Sequence, residues 1–326
     1  MQGKESPVSG AEIKVYAGID VCKAWLDVHI HPDGQEFRVK NTGKGFKTLG
    51  KRLAAAGIYK VVMEATGKYH REAHKALAEK GFAVAVVNPL RARLFAEAEG
   101  LLAKTDRLDA RSLALMGAKL EPETTPPAPE ILEMLQELMR ARQSVVDNAT
   151  ALSNQLGEAK ARFVRKLIER QLKQLATDIE KLDAEIKARI VEDPVLARRY
   201  EIALSIPGVG PVAAGWLIIG LPELGSCTAG QAAMMAGLAP IACESGKKKG
   251  QRKIRAGRAD VRRGIYMAAV SASSCNPPLR DFYQRLTAAG KGHKLTITGV
   301  MRKLVCLANT LLTENRLWLP EAPKIA

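Results

Sequence analysis

Four carboxylates in the first third of the chain stand where charge is expensive. Asp20 follows Ala17-Gly18-Ile19 inside the apolar run VYAGIDV, and Glu64 lies inside a second run, VVMEATG. A carboxylate in such a strand needs a cation, a metal or hydrogen-bond donors to offset its lost hydration. Asp106 and Asp109, in KTDRLDAR, are three residues apart and share a face if the segment is helical. Oxygen ligands of this kind suit Mg²⁺ or Mn²⁺. Two such ions polarise a phosphodiester and stabilise both its attacking and its leaving oxygen. Each acid also has an ordinary reading. An Asp at a strand end caps turns, Asp106 beside Thr105 favours a helix N-terminus, and Asp109 pairs with Lys104 or Arg111. Taken together, two acids in apolar strands and a D-x-x-D face fit a metal site, with Lys104, Arg107 and Arg111 placed to neutralise it or to meet phosphate.

The second candidate is Ser245 in ESGKKKG (244–250), read as a flexible stretch ahead of the basic run QRKIRAGRADVRR. A serine hydroxyl becomes a useful nucleophile only with a base, a cation or a metal beside it, and on the residues alone this one equally suits a solvated loop. The five histidines form no metal pattern; His70 and His74, four apart, lack a third ligand. Net charge is +16. From Ser245 to Lys303 fifteen Lys/Arg face two acids, a net +13, whereas residues 1–200 are close to balanced by comparison. So localised an excess points to a nucleic acid rather than to a merely solvated face. The candidate contacts in the block are Lys247, Lys248, Lys249, Arg252, Lys253, Arg255, Arg258, Arg262, Arg263, Arg302 and Lys303.

These residues require particular elements. Strand-like runs at 15–21, 24–30 and 36–41 are followed by a helical pattern at 43–56, a buried strand at 59–65, a helix at 69–80 and a strand at 82–89 ended by Asn88-Pro89. Three antiparallel strands and then β/α alternation is the order of an α/β RNase H-like domain. A further helix spans 105–119. The expected organisation is a catalytic domain at 13–120, a Pro-rich linker at 121–130, a helical or coiled-coil segment at 131–198 and a mainly α C-terminal domain at 199–322. In the third segment Leu172, Leu175, Ile179, Leu182 and Ile186 recur at heptad spacing; a surface helix gives the same pattern. LSIPGVGPVAAGWLIIGL (204–221) reads as a helix-hairpin-helix, whose Gly208 and Gly210 amides would hold a DNA phosphate; an ordinary tight helical turn has the same string.

Composition excludes other classes. The five scattered cysteines form no C-x2-C pair, which speaks against a structural zinc and against a disulfide framework. No apolar run reaches the ~18 residues of a membrane span, and the first residues, MQGKESPVSGAEIK, lack the apolar core of a secretory signal. A cytoplasmic protein, acting at the nucleoid of a prokaryote, is expected.

GID (18–20), EATG (64–67), NP (88–89), KTDxxDA (104–110), SIPGVG (205–210), GLAP (237–240), ESG (244–246), VRRGIYMA (261–268) and MRKL (301–304) occur in this order. The set resembles the DEDD-type insertion-sequence transposases, among them the Piv-type DNA invertases and the bridge-RNA-guided recombinases, over roughly 13–310. The resemblance implies a RuvC-like domain with Asp20, Glu64, Asp106 and Asp109 as its metal-binding quartet, and a C-terminal transposase domain with Ser245 as nucleophile. It also implies a structured bridge RNA pairing with donor and target DNA, and dimers or tetramers whose sites are composed from different subunits. A phosphoserine link retains the phosphodiester energy, so resealing needs no ATP. One departure is Gly264, where the family often carries Ala; a glycine there is expected to loosen the helix. Two other functions stay open on the sequence: a Mg²⁺-dependent RuvC-like nuclease or junction resolvase in which water attacks, and a non-catalytic nucleic-acid scaffold. A sugar-kinase-like ATPase also begins on a Gly-Ile-Asp strand, but no second phosphate loop follows.

Overall fold

The computed structural model describes residues 14–101, 106–242, 244–245, 248–250 and 252–320. Two compact units divide the chain between residues 128 and 129.

In the first unit, β1 (Val15–Val21), β2 (Trp25–His31) and β3 (Gln35–Lys40) form an antiparallel meander, followed by α1 (Gly43–Ala55), β4 (Ile58–Glu64), α2 (Arg71–Ala78), β5 (Val84–Val87), α3 (Pro89–Ala98) and α4 (Asp106–Leu120). The sheet order is β3-β2-β1-β4-β5, with β4 parallel to β1 and β5 parallel to β4. This is the order and direction expected of an RNase H-like domain. Strand side chains alternate between faces. Ala17, Ile19, Val28, Val61, Met63 and Val84 turn to one side and pack on Phe46, Leu49 and Leu53 of α1 and Ala73 and Leu77 of α2. Val62, Ala85 and Val87 turn to the other and pack on Ala92 of α3 and Leu113 and Met116 of α4.

Gly18 decides how α4 lies on the sheet. A Cβ built there would stand 2.0 Å from the carbonyl oxygen of Ala110 and 2.3 Å from the nitrogen of Ala114, so helix backbone occupies the space of a side chain. At the other end a Cβ on Gly117 would meet Tyr16 at 2.9 Å and Val62 at 3.0 Å. As α4 advances from 110 to 117 it passes from residue 18 back to residue 16 of β1, so the two run antiparallel. The helix N-terminus therefore points towards the C-terminal end of β1.

Helix α3 was not expected from the sequence, where Asn88-Pro89 reads as a strand terminator. The Asn88 side chain accepts from the amide of Leu90 and Pro89 occupies the first turn, where its missing N–H costs nothing. The Pro-rich stretch after α4 is an edge strap. The Thr125 amide donates to the Val84 carbonyl at 2.7 Å, its hydroxyl accepts from the Val86 amide at 3.1 Å, and its carbonyl accepts from Nε2 of the buried His74 at 2.8 Å. The edge of β5 is thus partnered.

The second unit is mostly helical. Its long helices are α5 (Glu130–Glu158) and α6 (Arg162–Glu192), followed by α7 (Pro194–Ser205), α8 (Pro211–Gly220) and α9 (Ala229–Met235). Short strands β6 (Pro240–Ile241), β7 (Glu244–Ser245), β8 (Lys248–Lys249) and β9 (Lys253–Ile254) come next, then α10 (Ala259–Gly264), α11 (Tyr266–Cys275), α12 (Pro277–Ala288) and α13 (His293–Thr313). Helices α5 and α6 form a hairpin with the Arg142 guanidinium on Asp183. Its base joins the core: Leu135, Met139, Ile186 and Ile190 are buried with α8, whereas Leu172, Leu175, Ile179 and Leu182 further along the seam are only half-buried. Helix α13 has the length and apolar composition of a membrane span, yet most of it lies inside this core, with Val300, Leu304, Ala308 and Leu311 inaccessible. Cys22, Cys227, Cys275 and Cys306 are free thiols.

Gly264 terminates α10 rather than loosening a continuous helix. A Cβ there would lie 2.0 Å from Cδ1 of the buried Trp216; the indole needs the space, and α11 starts afresh at Tyr266.

Substituting Gly18→Ala forces α4 off β1 and is expected to cost about 3 kcal/mol, the upper range for overpacking against unyielding neighbours. Gly43→Ala, whose Cβ meets nothing within 4 Å, should leave the urea midpoint of the full chain unchanged or raised.

Candidate active site

The register of the sheet assembles the acids. Gly18 pairs with Val62 and Ile19 with Met63, so one step further Asp20 and Glu64 stand side by side at the C-terminal ends of neighbouring parallel strands, on the face that carries α4. The antiparallel passage of α4 over Gly18 brings its first turns to the same end. Asp109 there lines one cleft of 500 Å³ with Glu64, Pro89, Arg93, Ser112 and Leu113. Asp20, Glu64 and Asp109 are each half-buried. Asp106 begins α4, one turn before Asp109; its side chain is outside the described residues. Among the described residues no group of three or more His, Cys, Asp or Glu side chains is close enough to hold a metal ion. The donor set nonetheless fits a hard divalent cation: carboxylate oxygens only, partly desolvated, delivered from two adjacent strands and one helix.

The structure adds one acid, Asp27, and one brace, Asn41, that the sequence pattern does not reveal. Asp27, 5% exposed, is the cross-strand partner of Asp20 and shares its face. Both its oxygens accept from Arg38, Oδ1 from Nε and Oδ2 from Nη2, each at 2.8 Å. The signal was the alternation of β2, which puts Trp25, Asp27 and His29 opposite the Leu26, Val28, Ile30 set. Asn41 braces the two acid-bearing strand ends. Its Nδ2 donates to the Cys22 carbonyl at 2.9 Å, two residues past Asp20, and to the Tyr69 carbonyl at 3.1 Å, in the loop after Glu64. In that loop burial holds His70 below the ordinary histidine range, and the neighbouring His74 lowers it further.

In the second unit the backbone of Ser245 is not in a loose loop. It pairs with Lys248, and Glu244 with Lys249, in an antiparallel ribbon; a second pairing joins Pro240 to Ile254 and Ile241 to Lys253. The side chains of Ser245, Lys248 and Lys249, and all of Lys104 and Lys247, lie outside the described residues. Arg252, Lys253, Arg255 and Arg302 are exposed, as is Arg111 on α4, and Lys303 lies 5.9 Å from the Phe282 ring centroid.

Three of the expected nucleic-acid contacts also hold the fold. Arg258 clamps both oxygens of Glu223 and donates to the Gly220 carbonyl at 3.0 Å. Arg262 donates to the carbonyls of Ala256 at 3.1 Å and Gly237 at 3.4 Å. Arg263 grips Asp147 of α5 through two bonds of 2.9 Å. Gly208, at φ +94°, is shaped by packing, for a Cβ would stand 2.5 Å from the Ala272 nitrogen. Gly210 is exposed and caps α8 with open space around it.

A family described as "Transposase" matches residues 17–159, and one described as "Transposase IS116/IS110/IS902 family" matches 200–284. The matches define the class, a transposase that recombines DNA. The chain belongs to the IS110/IS116 insertion-sequence transposase family. It is 29% identical to the pilin gene-inverting protein of Moraxella bovis over 93% of this chain and 97% of that one, and equally to that of Moraxella lacunata. It is 32% identical to an uncharacterized 44.8 kDa protein of insertion element IS116 from Streptomyces clavuligerus, over 51% of this chain and 41% of that protein. The solved structure of T. thermophilus RuvC in complex with Holliday junction substrate is 16% identical, with a TM-score of 0.26, over 32% of this chain and 93% of that one; the fold stands on the sheet topology, not on this similarity.

Asn41→Asp keeps size but removes the donor, and should lower stability by about 1–2 kcal/mol for two lost bonds, with faster amide exchange at Thr66 and Tyr69. A second expectation concerns acid. Burial pushes the Glu223 carboxyl up, but the Arg258 hydrogen bond and charge outweigh it and leave it below the ordinary value. A depressed carboxylate contributes stability above its unfolded value that is lost as pH falls through the folded one. Glu223→Gln should therefore flatten the fall of melting temperature below about pH 4.5.

Proposed function

We propose that the chain cuts and rejoins DNA strands through a phosphoserine intermediate on Ser245, assisted by a divalent metal on Asp20, Glu64, Asp106 and Asp109. The observation that carries the metal half is the convergence of Glu64 and Asp109 on one cleft, with Asp20 beside Glu64 by strand register. Family membership and the ordered ESG motif carry the serine half. The near-full-length similarity to proteins named for gene inversion supports site-specific rearrangement rather than degradation.

When bound, Mg²⁺ or Mn²⁺ would withdraw charge from the phosphodiester oxygens. The chain's own residues do the rest. Asp20 and Glu64, fixed on strands, and Asp109, on a helix seated against Gly18, hold their oxygens in preset positions, so little reorganisation is needed on binding. Ser245 Oγ attacks phosphorus, a P–O bond to Ser245 forms as the P–O bond to the leaving deoxyribose oxygen breaks, and the serine proton passes to that leaving oxygen. Reversal with a different incoming hydroxyl rejoins the strand and frees the serine. The exposed cations Arg252, Lys253 and Arg255, with Arg302 and Lys303, steer the polyanion. A bridge RNA as guide, and a dimer or tetramer with composite sites, complete the reading by family resemblance.

The test is a recombination assay with element-end DNA, Mg²⁺ and the RNA transcribed from the element flank. Wild type should yield a protease-sensitive protein–DNA adduct. Ser245→Ala should abolish both adduct and rejoined product, and Asp20→Asn should slow the reaction by a factor of about 100 or more, as for loss of one transition-state charge contact. Cleavage by Ser245→Ala at the wild-type rate would overturn the serine in favour of water as nucleophile, and activity with the RNA omitted would remove the guide.

A further inference from the structure

The face of the sheet that carries the acids continues outward past them. From Asp20 on β1 the register steps to Asp27 on β2 and Arg38 on β3, and two pairs along, on the same face, it places Trp25 beside Lys40. Trp25 is 37% exposed at the sheet margin. The Lys40 ammonium lies 5.8 Å and the Arg38 guanidinium carbon 5.9 Å from its ring centroid. Arg38 also lines a 410 Å³ cleft with Arg107 of α4, on the Ala110 side of that helix. The α4 N-terminal turns thus have a cleft bearing Glu64 and Asp109 on one flank and a cleft bearing Arg38 and Arg107 on the other. The two acids of this second cleft already have protein partners: Asp27 holds Arg38, and Glu36 meets His29 Nδ1 at 3.2 Å.

The Trp25 indole leaves about a third of its surface in water. The two cations beside its ring, Lys40 and Arg38, suit a polyanion better than an apolar partner. Neighbouring strands are about 4.8 Å apart, so Arg38 stands two strands, about 10 Å, from Asp20. That is a few nucleotides of chain. Resting on the DNA-recombining reading above, we propose that Trp25, Arg38, Lys40 and Arg107 form a subsite for single-stranded DNA, which receives the strand next to the phosphate held at the carboxylates. An unstacked base lies on the Trp25 ring, and the phosphates on either side meet Lys40, Arg38 and Arg107. A duplex keeps its bases stacked and offers none to the indole, so the subsite selects strands that are already opened. Base–aromatic stacking of this kind is tolerant of sequence, which suits a protein whose target choice is made elsewhere.

Trp25 reports on its own occupancy. The full chain, in EDTA so that no strand is cut, is titrated with an oligothymidylate of about 15 nucleotides, near the upper site size for such platforms, and with a duplex and an oligouridylate of equal length. The expected result is quenching of tryptophan emission by the DNA single strand. Trp25→Phe should lose that quench and keep most of the affinity. Trp25→Ala should weaken the single strand about tenfold, within the range for one stacked base. Lys40→Gln should reduce the salt slope by about 0.7, the value for one single-strand phosphate. A quench that persists in Trp25→Phe, or Trp25→Ala and Lys40→Gln proteins with wild-type affinity and salt slope, overturns the subsite. Equal quenching by duplex overturns its single-strand selectivity, and tighter binding of the oligouridylate overturns DNA as the ligand. The same titration on Ser245→Ala separates the two claims: a quench that survives where no adduct forms in wild type leaves the subsite standing while the recombinase reading falls.

Discussion

The missing side chain at Gly18 is the constraint from which the acid site follows. Helix backbone at 2.0 Å from where a Cβ would be leaves no room for even an alanine, so the depth of α4 is set by van der Waals contact with a strand rather than by adjustable side chains. Contact with backbone is stiff. It fixes the height of Asp109 above the sheet, and the antiparallel passage fixes which end of the sheet it reaches. The strand register then supplies Asp20 and Glu64 at that end without further adjustment. The three carboxylates are thus built on two hydrogen-bonded strands and one seated helix.

The sheet was readable from turn residues and strand pattern: β2 alternates apolar and polar, whereas β1 and β4, covered on both faces, read as nearly continuous apolar runs. Asp20 and Glu64 stood out because each breaks an apolar run. Asp27 did not, although it is the more buried of the flanking acids, because WLDVHIH reads as an ordinary half-polar strand until the pairing shows which face is covered. Asn41 was invisible for another reason: its two acceptors are carbonyls 19 and 28 residues away, and only the closed sheet brings them together. Helix α3 was lost to Asn88-Pro89, a dipeptide that serves equally to end a strand and to start a helix. Ser245 remains a position that the residues alone do not distinguish; motif order singles it out, and the ribbon pairing gives its backbone a defined partner.

The second unit shows that a basic run also has structural duties. Arg258, Arg262 and Arg263 lie in a run that reads as uniformly basic, yet each also bonds within the fold, to Glu223, to loop carbonyls and to Asp147. Arginine suits such clamps because its planar fork satisfies two acceptors at once. Gly264 makes the same point for size, since its place in the sequence is set by the Trp216 ring lying where its side chain would be.

The strap at Thr125 has a consequence for how copies of this chain meet. A sheet with an open edge is a template for a second sheet. Here the β5 edge is occupied by Thr125, and the short β3 edge carries Glu36, Arg38 and Lys40, whose charges oppose an identical strand laid alongside. At both margins this sheet therefore disfavours strand-to-strand pairing between copies, by a partnered backbone at one edge and by like charges at the other.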